Sequence, residues 1–152
     1  MARRTVHNHA WVLVGDGRKA LLLRNEGDPD LLNLRRVEVR EQDNPPTHEQ
    51  GRSAPGRSFS SVGAGRSAVE TTDWHDLEEE RFAISVAETL NRAAENGLFK
   101  HLVVVAPPRA LADLRAHFSR RVQDRITFEL NKDLTGHPIP DIEKILSVRE
   151  ED

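Results

Sequence analysis

Short runs that are apolar at every position alternate along this chain with longer runs whose apolar residues recur every three or four positions. His9 to Val14 (HAWVLV) is apolar on both parities, the pattern of a strand covered on both faces. Gly15-Asp16-Gly17-Arg18 is predicted as a turn of positive-φ residues, and Lys19 to Arg24 (KALLLR) as a second strand, so the two runs read as a hairpin. After the turn signal Gly27-Asp28-Pro29-Asp30, Leu31 to Arg40 predicts a third strand with a fault in it. Leu32 and Leu34 share one parity and Val37 and Val39 take the other, so a bulge or bend is expected near Arg35 and Arg36.

Apolar periodicity then stops. Of the 26 residues from Gln42 to Ser67, 12 are Gly, Pro or Ser, which predicts a long, mobile loop within one domain spanning residues 1–152. A helix is predicted from near Thr72, capped by Asp73 or Asp76, with Phe82, Val86, Leu90 and Ala94 on its apolar face and Asn96-Gly97 as its stop. Lys100 to Ala106 (KHLVVVA) reads as a buried strand, and Pro107-Pro108 opens a helix with Leu111, Leu114 and Phe118 inward. Arg125 to Leu130 alternates as a strand with Ile126, Phe128 and Leu130 inward, and Pro138 and Pro140 precede a last helix bearing Ile142, Ile145 and Leu146.

The predicted order is therefore β-β-β-α-β-α-β-α. Hairpin connections at the start imply antiparallel strands, and helical crossovers later imply parallel ones. The class is α/β, and the order is that of a ribonuclease-H-like three-layer fold: a mixed five-stranded sheet with helices on both faces. Enzymes of that fold gather metal ions with carboxylates inside the first strand, on the following helix and at the end of the fourth strand. Here HAWVLV contains no acid and the fourth strand runs into Val105-Ala106-Pro107, so a nuclease reading is rejected.

Composition narrows the rest. Lys+Arg 22 against Asp+Glu 25 gives a net charge of -3, which argues against a polyanion binder working through bulk charge. With Cys 0, disulfides, thiolate nucleophiles and zinc-thiolate sites are excluded. No apolar stretch is long enough for a membrane span, and the first ten residues lack a secretory core, so a cytoplasmic protein with no membrane partner is expected. An edge strand of the first hairpin can pair with a second copy, which allows a dimer without requiring one.

Candidate chemistry concentrates outside the regular elements. Gly51 to Ser67 holds Arg52, Arg57 and Arg66 with no acid, whereas Ala68 to Glu80 carries six. Guanidinium forks on a Gly/Ser backbone suit phosphate recognition. None of the loop serines, Ser58 among them, sits in a nucleophile elbow, and Gly63-Ala64-Gly65-Arg66 lacks the G-K-[ST] of a phosphate loop. His48-Glu49 and His75-Asp76 lack chelating spacing, so no metal and no cofactor is expected. His75, near the start of an acidic helix, is a candidate proton donor. Lys132 and Asp133 follow the last strand, where open α/β sheets bind ligands.

Several ordered segments carry a resemblance: HAWVLVGDGRKALLLRN, GRSFSSVGAGRSAVE, HDLEEERFA, HLVVVAPPRALADLR and ELNKDLTGHP. Together, from Val6 to Leu146, they resemble the bacterial host-attachment protein family, described as required for attachment to host cells. That family is similar to the middle domain of archaeal and eukaryotic peptide-chain release factors. The resemblance implies the ribonuclease-H-like fold and singles out Gly56, Arg57, Ser58, Gly65, Arg66, His75, Glu80, Arg81, Phe82, Lys132 and Asp133. One departure matters. Release factors present Gly-Gly-Gln at a loop tip to hydrolyse peptidyl-tRNA, and this chain has no such tripeptide. Three functions follow as expectations: a non-enzymatic module binding RNA or the ribosome, a protein-interaction factor for attachment, and a hydrolase using His75 and neighbouring acids. No catalytic residue is assigned.

Overall fold

The computed structural model describes residues 5–41 and 64–147, with residues 64–73 described by their helical backbone only. Strand β1 (Trp11–Gly15) is buried along its whole length. Successive side chains leave a strand on opposite sides, so Trp11 and Leu13 enter one apolar cluster and Val12 and Val14 another. β2 (Lys19–Asn25) pairs antiparallel with β1, and β3 (Leu34–Glu41) pairs antiparallel with β2. On the other side β4 (Leu102–Val105) runs parallel to β1, and β5 (Ile126–Leu130) parallel to β4. The sheet order is β3-β2-β1-β4-β5, the mixed five-stranded sheet that the element order predicts.

Helices cover both faces, as a strand buried on both sides demands. Phe82, Val86 and Leu90 of α1 (Ala64–Glu95), Leu111 and Leu114 of α2 (Pro108–His117), and Val122 of α3 (Arg120–Arg125) pack with Leu13, Leu22 and Val104. Ile142 and Leu146 of α4 (Ile139–Ser147), with Val6 and Ala10 of the N-terminal segment, pack with Val12, Leu23 and Val103. α3 is absent from the predicted order. Its sequence, RRVQDR, shows one apolar residue and no period; Ser119, whose hydroxyl accepts a bond from the Val122 amide, starts it.

Four expectations are corrected in detail. α1 begins at Ala64, not near Thr72, so the predicted 42–67 loop overlaps its first turn, and residues 42–63 lie outside the described residues. A helix whose later turns are fixed by packing extends backward one hydrogen bond at a time through any segment free of proline. The β1–β2 turn uses no positive φ; the Asp16 carboxylate instead accepts from the Arg18 and Lys19 amides, both at 2.7 Å. The bulge in β3 falls at Val37, because Leu22 faces Glu38 and Leu23 faces Arg36. A second register shift, at Thr127, sends Ile126 to the α1 face while Phe128 and Leu130 pack on the opposite one.

Gly97 is the glycine at positive φ (70°) among the described residues. Its amide bonds the Ala94 carbonyl and that of Leu98 bonds Ala93, a Schellman ending for α1. Arg125 donates to the Ala94 and Phe99 carbonyls, both at 2.9 Å, which ties the start of β5 to that same helix end.

Asn25, fully buried, organises the other end of β2. Its amide nitrogen donates to the carbonyls of Val6 and His7 (3.1 and 3.2 Å), and its oxygen accepts from the amides of Gly27 and Asn33 (2.9 and 3.0 Å). The turn it closes has no room for a side chain at Gly27, where a Cβ would lie 2.2 Å from the Leu31 carbonyl oxygen. Removing the carboxamide strands buried backbone groups, each worth about 1–3 kcal/mol when left unpaired. Asn25→Ala is therefore expected to lower unfolding free energy by about 3 kcal/mol in urea titration with an unchanged slope, against about 0.5 kcal/mol for the exposed control Asn33→Ala.

Candidate functional site

A cleft of about 230 Å³ opens where β1 and β4 end, between α1 and α2. Open α/β sheets leave such a crevice at the carboxyl ends of parallel strands, because the connecting helices diverge there. Its floor is apolar: Leu13 and Ala20 from the hairpin, Phe82, Ala83 and Val86 from α1, Ala110 and Leu114 from α2. Four charged side chains form the rim, namely Asp16 of the β1–β2 turn, Glu79 of α1, and Arg109 and Asp113 of α2.

The rim is largely committed to holding the elements in place. Arg109 reaches Asp76 at 3.0 Å, bridging α1 and α2, and this hydrogen bond holds the guanidinium's pKa above its usual value. Glu79 lies over Gly17, where a Cβ would come within 2.7 Å of the carboxyl carbon. While one oxygen of Asp16 secures its own turn, the other lies 3.0 Å from the Thr135 hydroxyl. That hydroxyl also sits 2.6 Å from Asp133 Oδ1, so its single proton serves one carboxylate at a time. Asp133 in addition accepts from the Thr135 amide at 3.0 Å. The β1–β2 turn is thus wedged between α1 and the loop after β5. Among the described residues no three carboxylate or imidazole groups converge as a metal site.

The residues singled out from the sequence separate into groups. Asp133 joins this end of the sheet through Thr135 and Asp16, while Lys132 beside it is exposed. Phe82 is part of the cleft floor, His75 is half-buried on α1 but does not line the cleft, and Arg81 is exposed. Arg66 falls in the first turn of α1, where the backbone alone is described; Arg52, Arg57 and Ser58 lie outside the described residues. Sequence reasoning missed Glu79, Arg109, Asp113 and Thr135. Helical spacing separates inward from outward positions but does not say which outward positions of two helices come to flank one opening. The Asp-Gly turn directly after β1 was the available signal, since a carboxylate at a strand's carboxyl end faces the crevice by construction.

Because the Asp16 carboxylate accepts from the Arg18 and Lys19 amides and shares the Thr135 hydroxyl with Asp133, its removal is expected to weaken the fold. Asp16→Ala should lower unfolding stability by about 2 kcal/mol, and Thr135→Val by about 1 kcal/mol, in urea denaturation. A rise in stability on removing Asp16 would instead mark a group held against the fold's interest, as active-site carboxylates are.

No curated protein matches the chain. A family model, bacterial archaeo-eukaryotic release factor family 12, matches residues 9–146, from two residues before β1 to the penultimate residue of α4. That span contains every strand of the sheet and both the cleft and the loop that braces it. The chain belongs to the bacterial archaeo-eukaryotic release factor family.

Proposed function

We propose that this chain is a non-enzymatic, cytoplasmic module of the translation apparatus that binds RNA or the ribosome. The observation that carries the reading is the family match over residues 9–146, which takes in the whole sheet. The strand order, three antiparallel strands followed by two parallel ones, supports reading the fold as ribonuclease-H-like, the fold of the release-factor middle domain that the sequence resembles. Peptidyl-tRNA hydrolysis is left out of the proposal because the chain has no Gly-Gly-Gln. A hydrolase built on His75 gains no support from a cleft that His75 does not line.

The proposed contact surface is the acid-free segment with Arg52, Arg57, Ser58 and Arg66, with His75, Arg81, Lys132 and Asp133 as further candidates. Charged forks on a small-residue backbone bind phosphates without needing sequence-specific contacts. The resemblance to the host-attachment family supports a second reading, a protein-interaction factor needed for attachment. Among the described residues no helix is long and apolar enough to cross a membrane, so membrane insertion plays no part in either reading.

Co-sedimentation with ribosomes and filter binding to structured RNA, at low and high salt, separate these readings. Three arginine–phosphate contacts imply roughly a fortyfold loss of affinity over a fourfold rise in salt. Arg57→Ala with Arg66→Ala should weaken binding about tenfold while leaving the melting temperature unchanged. Absence of RNA and ribosome association at low salt defeats the RNA reading, and retention of a protein partner at high salt favours the attachment factor.

A further inference from the structure

At the opposite end of the sheet, where β1 and β4 begin and β2 ends, lies a groove of about 520 Å³. Among the described residues its ionisable lining consists of bases alone: His7, His9, Arg24, Lys100 and His101. In a chain whose net charge is -3, five basic side chains around one concavity without a carboxylate among them are not an average surface. Glu26 faces Arg24 Nε at 3.4 Å, and among the described residues that buried nitrogen has no hydrogen-bond partner.

Two further observations concern the histidines. The rings of His7 and His101 are stacked with centroids 4.0 Å apart, an arrangement in which two imidazolium ions repel unless an anion lies beside them. His9 holds a left-handed backbone, φ 69°, rare outside glycine, and its amide is fastened to the Asn25 carbonyl at 2.7 Å. Backbone held in such a conformation at the edge of a concavity is where binding groups are commonly fixed in advance.

We propose that this groove binds a phosphate group, with Lys100 and Arg24 as standing charges and the His101 imidazole, stacked on His7, strengthening the site on protonation. The groups around His101 are His7 and His9 of the N-terminal segment, Arg24 of β2 with Glu26 beyond it, Lys100 beside it, and Arg125, which binds the Phe99 carbonyl. Burial, then His7, then Lys100, hold the His101 imidazole below its usual pKa. The unfolded chain therefore takes up this proton first, and stability falls as pH drops below about 6.5. An anion in the groove favours the protonated ring and shrinks that loss.

The test follows the imidazole resonances of His7, His9 and His101 in the full chain during titration with sodium phosphate. Sodium chloride at equal ionic strength is the control. Inorganic phosphate gains negative charge as pH rises, so tighter binding at lower pH can come only from the protein. The expected result is perturbation confined to these rings, with affinity about tenfold higher at pH of about 6 than about 8. Lys100→Gln and His101→Gln should each weaken it roughly tenfold with unchanged circular dichroism.

Equal shifts with chloride, or affinity no greater at the lower pH, overturn the proposal. Oligoribonucleotides with and without a 5′-phosphate identify the source: preferential displacement by the phosphorylated one assigns a terminal monoester, and equal displacement assigns backbone diesters. The proposal does not depend on the arginine-bearing segment. RNA association that survives in Lys100→Gln while phosphate binding is lost separates the two.

Discussion

The structure depends on one constraint, that β1 and β4 are apolar on both sides. A strand with Val12, Leu13 and Val14 all fully buried cannot lie on a solvated surface, so each face of the sheet must be covered. One face receives α1, α2 and α3; the other receives α4 and the N-terminal segment. With both faces closed, the two ends of the parallel strands are left as concave surface. The cleft rimmed by Asp16, Glu79, Arg109 and Asp113 and the groove lined by His7, Lys100 and His101 are those two ends. Carboxylates predominate at the first and bases at the second, so the sheet carries opposite charge at its two poles.

Much of this architecture was legible in the chain. Runs apolar on both parities identified the central strands, and a parity break in LRRVEVR announced the bulge to within a residue or two. Asn96-Gly97 marked the end of α1 because a left-handed residue there is a local requirement that tertiary contacts do not override. What escaped was non-local. The start of α1 is set by cooperativity rather than by a cap, α3 is held by one buried valine, and the register shift at Thr127 turns a clean alternation onto two faces. At the candidate site, the position of Asp133 beyond β5 was readable from the strand rule. Its engagement with Thr135, and through it with Asp16, required knowing that two turns far apart in sequence meet.

Family membership and the local chemistry point in compatible directions. The chain belongs to a release-factor family yet has no Gly-Gly-Gln, and the Asp16 carboxylate at its cleft braces the β1–β2 turn. The proposed function accordingly rests on surfaces that would recognise a partner. The scaffold suits that role: Asp16 and Thr135 join the β1–β2 turn to the loop after β5 side chain to side chain, and Arg125 ties the start of β5 to the backbone at the end of α1, so attached loops are presented from a rigid base.

The pairing of β1 with β4 also has a kinetic consequence. Trp11 and Leu102 are neighbours in the sheet yet lie far apart along the chain, whereas β1, β2 and β3 form a local antiparallel meander. During synthesis the meander emerges first, and the outer edge of β1, apolar and unpaired, must wait for LVVV to be made and brought back by the crossover. The nascent protein is accordingly most vulnerable to sticking to other chains between those two moments, and closure of β4 onto β1 is the step that ends the exposure.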